Sequence, residues 1–348
     1  MSAVVDRARI RRATLAARAA MFELDATGQD GLAEIYGAAA DSLRVAIARH
    51  ADGDGNVALT ELRSVLAQVE AILGTVRGQV ETTVQVGVER AAMHGAAGVA
   101  LESSASMRVA TEAVAITRHF VAADGLALSD RLWRIDRGAR ESLTRAIELS
   151  VIQGHGSAQA AREFLLQGKP VPADVAARQG AANAVALGSE AERLLAGKGE
   201  SALYQAQRVF RTEINRAQGE AAMLAAERLP GFAGHRFLLS PNHPKHDICD
   251  LLAKQNLYGL GEGVYPTRAK CPWPAHPNTL SFVEFVLEDE VTDADRAGKE
   301  SPMAALGRLE PEVREGVLGV GKAAIYDEGK LRQGMIRSTL GAVRRRTG

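Results

Sequence analysis

From Leu59 onward, apolar residues fall at Leu62, Leu66, Val69, Leu73, Val76, Val80 and Val84. Steps of three and four return side chains to one face of a 3.6-residue helix, whereas a half-buried strand would need steps of two. The stripe therefore predicts a long amphipathic helix, and most of the stability of such a helix comes from burying its apolar side against other elements. Composition points the same way. Hydrophobic residues are 46% of the 348 but aromatics only 4%, so the apolar share leans on Ala, Val and Leu, and alanine is the best intrinsic helix former. The expected fold class is mainly α, built of long amphipathic helices with a small α+β module near the C-terminal third.

Other segments repeat the pattern. Residues 99–122 are Ala-rich and break at Asp124 and Gly125. Leu128, Leu132, Ile135, Ala139, Leu143, Ala146 and Val151 form another helical face. Gly154 and Gly156 are expected to end it, with Ser157 capping a short helix from Ala158 to Leu166. Trp133 reads as a core anchor at the start of that face. Pro170 and Pro172 punctuate the chain, and a helix near 173–196 closes at Gly197 and Gly199. The segment 200–229 carries an a/d pattern through Leu203, Phe210, Ile214, Ala217, Ala221 and Leu224, with Arg216 and Glu220 one turn apart on the outside, stopped by Pro230 and Gly231.

The texture then changes: residues 232–290 hold four of the eight histidines and both cysteines. Here 235–239 and 281–286 read as short strands flanking a long irregular loop, and 301–340 as short helices broken by glycine. The resulting division is an N-terminal helical region (1–125), a helical core (126–231), a strand-loop-strand His/Cys module (232–290) and C-terminal short helices with a basic tail (291–348).

Charge constrains partners less. Lys plus Arg and Asp plus Glu both number 42, so the formal net charge is zero, which gives no global pull toward nucleic acid or membrane. Arg344, Arg345 and Arg346 form the one basic cluster, readable as a DNA contact or as a solvated tail. No stretch approaches the ~20 apolar residues that span a bilayer, so no membrane partner is expected. The N-terminus has early arginines and Asp6 but no apolar stretch of signal type. Two cysteines are too few for a disulfide framework, and a reducing cytoplasm is the expected setting.

The residues with chemistry lie between the two strands: His243-x-x-His246-x-x-Cys249, then Cys271 and His276. Imidazole and thiolate are the donors that tetrahedral Zn²⁺ selects, and two clusters across a loop can close a four-coordinate site and hold an irregular loop in one shape. Five candidates compete for four positions, and no C-x-x-C pair is present. A proline-rich connector with satisfied histidines and buried thiols is the reading preferred over zinc, and a Cys249–Cys271 disulfide, disfavoured in cytoplasm, is a third. A hydrolytic zinc needs an open position and a carboxylate base. Asp247 and Glu262 are at hand, but no H-E-x-x-H signature places them, and His276-Pro277-Asn278 is only a fragment of a His-metal nuclease pattern. If an ion binds, a structural role is the expected one.

The stretch from His50 to Glu61 imitates a Ca²⁺-binding EF-hand loop, with Asp52, Asp54, Gly55, Val57 and Glu61 at loop positions three, five, six, eight and twelve. Position one is His50, which supplies neither the charge nor the hard oxygen that Ca²⁺ wants, so Ca²⁺ at 50–61 is not expected. Asp and Gly also serve any turn before a helix. No phosphate-binding glycine loop and no G-x-S-x-G elbow is present.

Taken in order, several stretches resemble the phage Mu F-like minor head proteins, the phage head-morphogenesis family. They are Leu128 to Ile135 with Gly154 and Ala160 to Leu165; Arg211 to Ala217; and His243 through His246, Asp247, Ile248 and Cys249, then Gly261, Gly263, Val264 and Tyr265, then Pro274 to Asn278, into the strand 282–286. A weaker echo follows in Leu306 to Leu309 and Arg314 to Gly319. The likeness covers roughly 126–340. Family members commonly carry a cysteine after the His-Pro pair, often as C-x-C, whereas Thr279, Leu280 and Ser281 stand here, so a metal site would have to recruit His243 or His246. The resemblance implies a non-enzymatic, low-copy protein of the virion head, present in host cytoplasm during assembly. Its partners would be portal protein and capsid or scaffold proteins, and it would act in procapsid assembly and DNA packaging or delivery. The alternative from the residues alone is a zinc-dependent hydrolase or nuclease using the 243–276 loop.

Overall fold

A computed structural model describes residues 7–99, 103–121, 125–166, 183–240, 243–276 and 281–347. Its helices are α1 (Arg7–Arg49), α2 (Leu62–Ala97), α3 (Ser103–His119), α4 (Leu128–Leu166), α5 (Ala184–Ala196) and α6 (Ala202–Ala226). Then come β1 (Phe232–Leu238), α7 (Ile248–Lys254), β2 (Val264–Tyr265), β3 (Phe282–Leu287), α8 (Asp293–Ala297), α9 (Pro302–Arg308), α10 (Pro311–Leu318), α11 (Val320–Asp327) and α12 (Leu340–Thr347). The protein is mainly helical with one small antiparallel sheet in its C-terminal third, as the periodicity predicts. Among the described residues no helix is long and apolar enough to cross a membrane.

Most of the predicted stripe on α2 is buried: Val69, Leu73, Val76, Val80 and Val84 are all in the core, joined by Val65, while Leu62 and Leu66 at its start are half-buried. Three local expectations fail. The helix α4 continues through Gly154 and Gly156 to Leu166, because glycine costs a helix interior only ~1 kcal/mol per residue relative to alanine. Trp133 is 46% exposed; Arg137, one turn on, lies 5.1 Å from its ring centroid, so the indole sits beneath a guanidinium and not in the core. The irregular loop also contains two elements, α7 and β2, that periodicity cannot register in so few residues. Of the helix expected near 173–196, the part before 183 lies outside the described residues, as do Pro170 and Pro172.

The chain divides into two compact units of non-contiguous stretches. The second unit, residues 23–87 and 118–211, is all helical. Its core includes Leu32, Leu43, Ile47, Leu73, Leu143, Ile147 and Leu195. Arg140 pairs with Asp136 and Glu70, and the ring of Phe210 occupies the space a side chain at Gly28 would need. Asn183 caps α5, its side chain accepting from Val185 N at 2.9 Å.

The first unit, residues 1–22, 88–117 and 212–348, carries the sheet. Strand order is β2-β1-β3, both pairings antiparallel. His235 stands opposite Tyr265 on one side and Phe285 on the other. Phe237, Cys249, Leu252, Tyr265, Cys271, Trp273 and Met223 form one apolar cluster between the sheet and the helices α6 and α7. A second gathers Leu251 with Leu306, Leu309, Val317 and Leu318 of the C-terminal helices. At ~1.5–3 kcal/mol for each fully buried large apolar side chain, these two clusters fix α7 on both sides.

Candidate metal centre

The loop between β1 and β3 is bolted together by hydrogen bonds. After α7 the chain turns through Gly259, Gly261 and Gly263, all at positive φ. At Gly263 a Cβ would lie 2.7 Å from the Ala253 carbonyl oxygen and 2.8 Å from that of Phe237, so only glycine fits. Its N–H donates to Gln255 O at 2.9 Å, and its own carbonyl accepts from Phe237 N at 2.8 Å. Two residues later the Tyr265 hydroxyl donates to Leu252 O at 2.9 Å and accepts from Gln255 Nε2 at 2.6 Å. Burial holds that phenol well above the usual tyrosine range.

The start of α7 organises the polar side. Asp247 is its N-cap, accepting from Cys249 N at 2.7 Å, and Asp250 Oδ2 reaches back to Asp247 N at 2.9 Å, closing a capping box. Asp250 is buried, yet it also binds His243 Nε2 and His246 Nδ1, each at 3.0 Å. Burial alone would raise its pKa; the Asp247 N–H and the two imidazoles outweigh that and hold the carboxyl below its ordinary value. Gly316 of α10 closes over His246: a Cβ there would lie 2.7 Å from the His246 carbonyl oxygen.

Beside this clamp, three donors converge. Cys249 Sγ lies 3.2 Å from His276 Nε2, and Asp247 Oδ2 lies 3.2 Å from the same nitrogen. In a nucleophilic relay the base meets the nucleophile with one ring nitrogen and the orienting carboxylate with the other. Here thiol and carboxylate crowd one nitrogen, which offers a single hydrogen or a single lone pair. A divalent cation would satisfy sulfur, nitrogen and oxygen together. The three ligand atoms lie within 4.8 Å of one another, as do those of a second group, His243, Asp247 and Asp250, which shares Asp247. The edges of 3.2 Å are close to the separation of roughly 3.3–3.6 Å expected between donors on tetrahedral zinc. These clusters can hold a metal, and the S/N/O donor set belongs to the zinc class.

Of the five residues read from the sequence, Cys249 and His276 meet in the first group and His243 joins the second. His246 touches the site through Asp250. Cys271 is placed elsewhere: it packs with Phe237, Tyr265 and Trp273, is 6% exposed, and burial pushes its thiol up to about 12. The two cysteines are not joined to each other, so the disulfide reading falls. Sequence reasoning missed Asp250 altogether and took Asp247 only for a base. The spacing of Asp247 and Asp250, three apart at a helix start, is the capping-box signal that could have found them. Glu262 is exposed and paired with Arg308 at 3.2 Å. Pro277 and Asn278 lie outside the described residues.

A buried polar row on α6 supports the module. Thr212, Glu213, Arg216 and Glu220 are all buried, so the outward placement expected for Arg216 and Glu220 fails: Arg216 Nε donates to Glu213 at 3.1 Å and Arg268 of the loop reaches Glu220 at 2.7 Å. Glu227 accepts from Arg268 N at 2.7 Å and meets His235 Nε2 at 3.1 Å.

In the second unit, the EF-hand-like loop is self-satisfied. Asp52 Oδ1 accepts from Asp54 N at 3.0 Å and Asn56 N at 2.8 Å, and His50 Nδ1 meets Glu61 at 2.7 Å, so the first and last loop positions bind each other. Ala51 and Val57 pair in a β-bridge.

No protein-family model matches the chain, and comparison with curated proteins and with solved structures gives no significant match.

Proposed function

We propose that the chain is a structural minor head, or head-morphogenesis, protein of a tailed phage or prophage. It associates with portal and capsid or scaffold proteins during procapsid assembly and DNA packaging or delivery, and turns over no substrate. One observation carries this reading. Most of the separated stretches that resemble the Mu F-like family, those from Thr212 onward, fall in one compact unit, and their residues do frame work. Thr212, Glu213 and Arg216 are buried together, Asp247 caps α7, Gly263 and Tyr265 lock the loop to it, and His276 closes on Cys249. Within this reading a structural Zn²⁺ sits in the His/Cys module, held by Cys249, His276 and Asp247. When bound it supplies a crosslink between the start of α7 and the strand-ward end of the loop. Arg344, Arg345 and Arg346, exposed at the end of α12, are the DNA-facing candidates. Co-purification of the tagged chain with its cognate portal protein tests the assignment: retention through a high-salt wash supports it, and no retention under procapsid-forming conditions argues against it.

A zinc-dependent hydrolase or nuclease is the second reading. The observation favouring it is the Asp250–His246 pair, in which a buried carboxylate orients an imidazole whose side chain is 45% exposed, as a general base would be held. Alanine at His246 and His276 would then abolish a measurable activity, whereas undiminished phage titre with both changes removes any essential catalytic role.

A further inference from the structure

We infer that the outer edge of β3 is a docking slot for an extended, acid-bearing segment of a partner protein, which adds to the sheet as a fourth strand. The inference takes from the assembly reading only that the chain meets partner proteins.

Backbone direction identifies the edge. The Phe237 N–H donates to the Gly263 carbonyl at 2.8 Å, so Phe237 turns its backbone toward β2. Its neighbours Arg236 and Leu238 therefore turn theirs toward β3, where Glu284 and Phe282 stand opposite them. Val283 and Phe285 alternate with these two, so their N–H and C=O groups point away from β1. Leu287, the next of that set, has its N–H taken by the Glu290 carboxylate at 2.8 Å. Outward-pointing edge groups are a template for another strand.

Beside them lies a cavity of about 540 Å³, within the size range of ligand pockets. Phe282, Val283, Glu284 and Phe285 all line it. Successive side chains of a strand point to opposite faces, so a space touching four in a row runs along the edge, where a paired strand would lie. Its far wall is α1, through Ile10, Thr14 and Arg18, and Gly95, at the end of α2, and Ala222 of α6 close it. All of these residues belong to the first unit.

That wall selects the occupant. The edge of another whole sheet would meet α1, whereas a single extended segment fits between α1 and β3. Charge selects further. The Arg18 guanidinium lies 3.5 Å from the Phe282 ring centroid and 3.4 Å from Glu284, and Arg236 stands opposite Glu284. Arg11 lines the slot as well, two turns from Arg18 on the same face of α1. Three guanidiniums thus face Glu284 and Glu290, and Glu290 is engaged at Leu287. An acidic side chain on the incoming strand complements that balance.

The purified full-length chain, used as bait for a random dodecapeptide library, tests this. Enriched peptides should alternate apolar residues and carry an aspartate or glutamate. Val283→Pro removes one outward N–H and spares the pairing with β1. It should keep the wild-type circular dichroism and weaken binding of the enriched peptides about tenfold. Arg18→Gln should weaken the same peptides, and an unchanged affinity would overturn the acidic requirement. Should Val283→Pro fail to fold, peptides N-methylated at alternate amides replace it: one register should lose binding and the other keep it. A wild-type chain that enriches no peptide overturns the slot. So do peptides that bind Val283→Pro, or both methylated registers, as tightly as the originals. Retention by the portal protein alongside such a result leaves the assembly reading standing; peptide binding without portal retention leaves only the slot.

Discussion

His235 is a histidine kept neutral by its surroundings. It is 1% exposed, its Nε2 meets Glu227 and its Nδ1 has no hydrogen-bond partner among the described residues. Burial lowers its pKa below 6.5, and the Glu227 carboxylate only partly opposes this, with Arg268 adding to the lowering. A depressed folded value means that the unfolded chain binds the proton first. The contribution of His235 to stability is therefore whole above pH 6.5 and is lost as pH falls from there toward the folded value. Denaturant midpoints measured down the pH scale should decline in that window for the wild type and decline less for His235→Phe; equal slopes would contradict the assignment. Gly263 gives a second residue-scale prediction. Its positive φ and two carbonyl neighbours under 3 Å from a Cβ mean that Gly263→Ala should cost about 3 kcal/mol, read as a fall in urea midpoint. The sequence shows Gly261 and Gly263 as a repeated glycine but not why; the reason is the Phe237 carbonyl of β1, far upstream, which no local pattern encodes.

At the scale of elements, glycines in helices separate propensity from packing. A Cβ added at Gly74 of α2 would have no neighbour within 4 Å, whereas Gly219 of α6 lies directly beneath the Trp273 indole. Gly74→Ala should therefore stabilise the protein by about 0.5–1 kcal/mol, and Gly219→Ala should destabilise it by about 2 kcal/mol through overpacking. Thermal melts of the two variants should move in opposite directions, and a shared direction would show that one of the two environments is wrongly described. Helices were the most legible elements because the stripes on α2 and α6 repeat for many turns. The expected stop at Gly154 and Gly156 followed a local penalty that α4 as a whole absorbs. The helix α7 and strand β2 are short enough that tertiary contacts define them: Leu251 packs toward the C-terminal helices, Leu252 toward the sheet.

For the whole molecule, the mainly helical class and the position of the small sheet were readable from periodicity and from the change of texture after Gly231. The candidate centre was readable in part. Spacing brought His243, Cys249 and His276 into view, but it could not show that, of two thiols in one apolar cluster, Cys249 is the one that meets His276. Nor could it promote Asp247, whose role depends on where α7 begins. The partition into two units is also invisible locally, since each is made of stretches far apart in the chain. The proposed role joins these scales. Glycine turns and a capping box hold the loop to α7, the module presents a donor triangle, and under the proposal the molecule would serve as a part in a larger assembly. Quantitative mass spectrometry of purified particles and procapsids tests that role most directly. The account predicts a few copies per particle in fixed ratio to the portal protein; absence of the chain from both mature particles and assembly intermediates would contradict it.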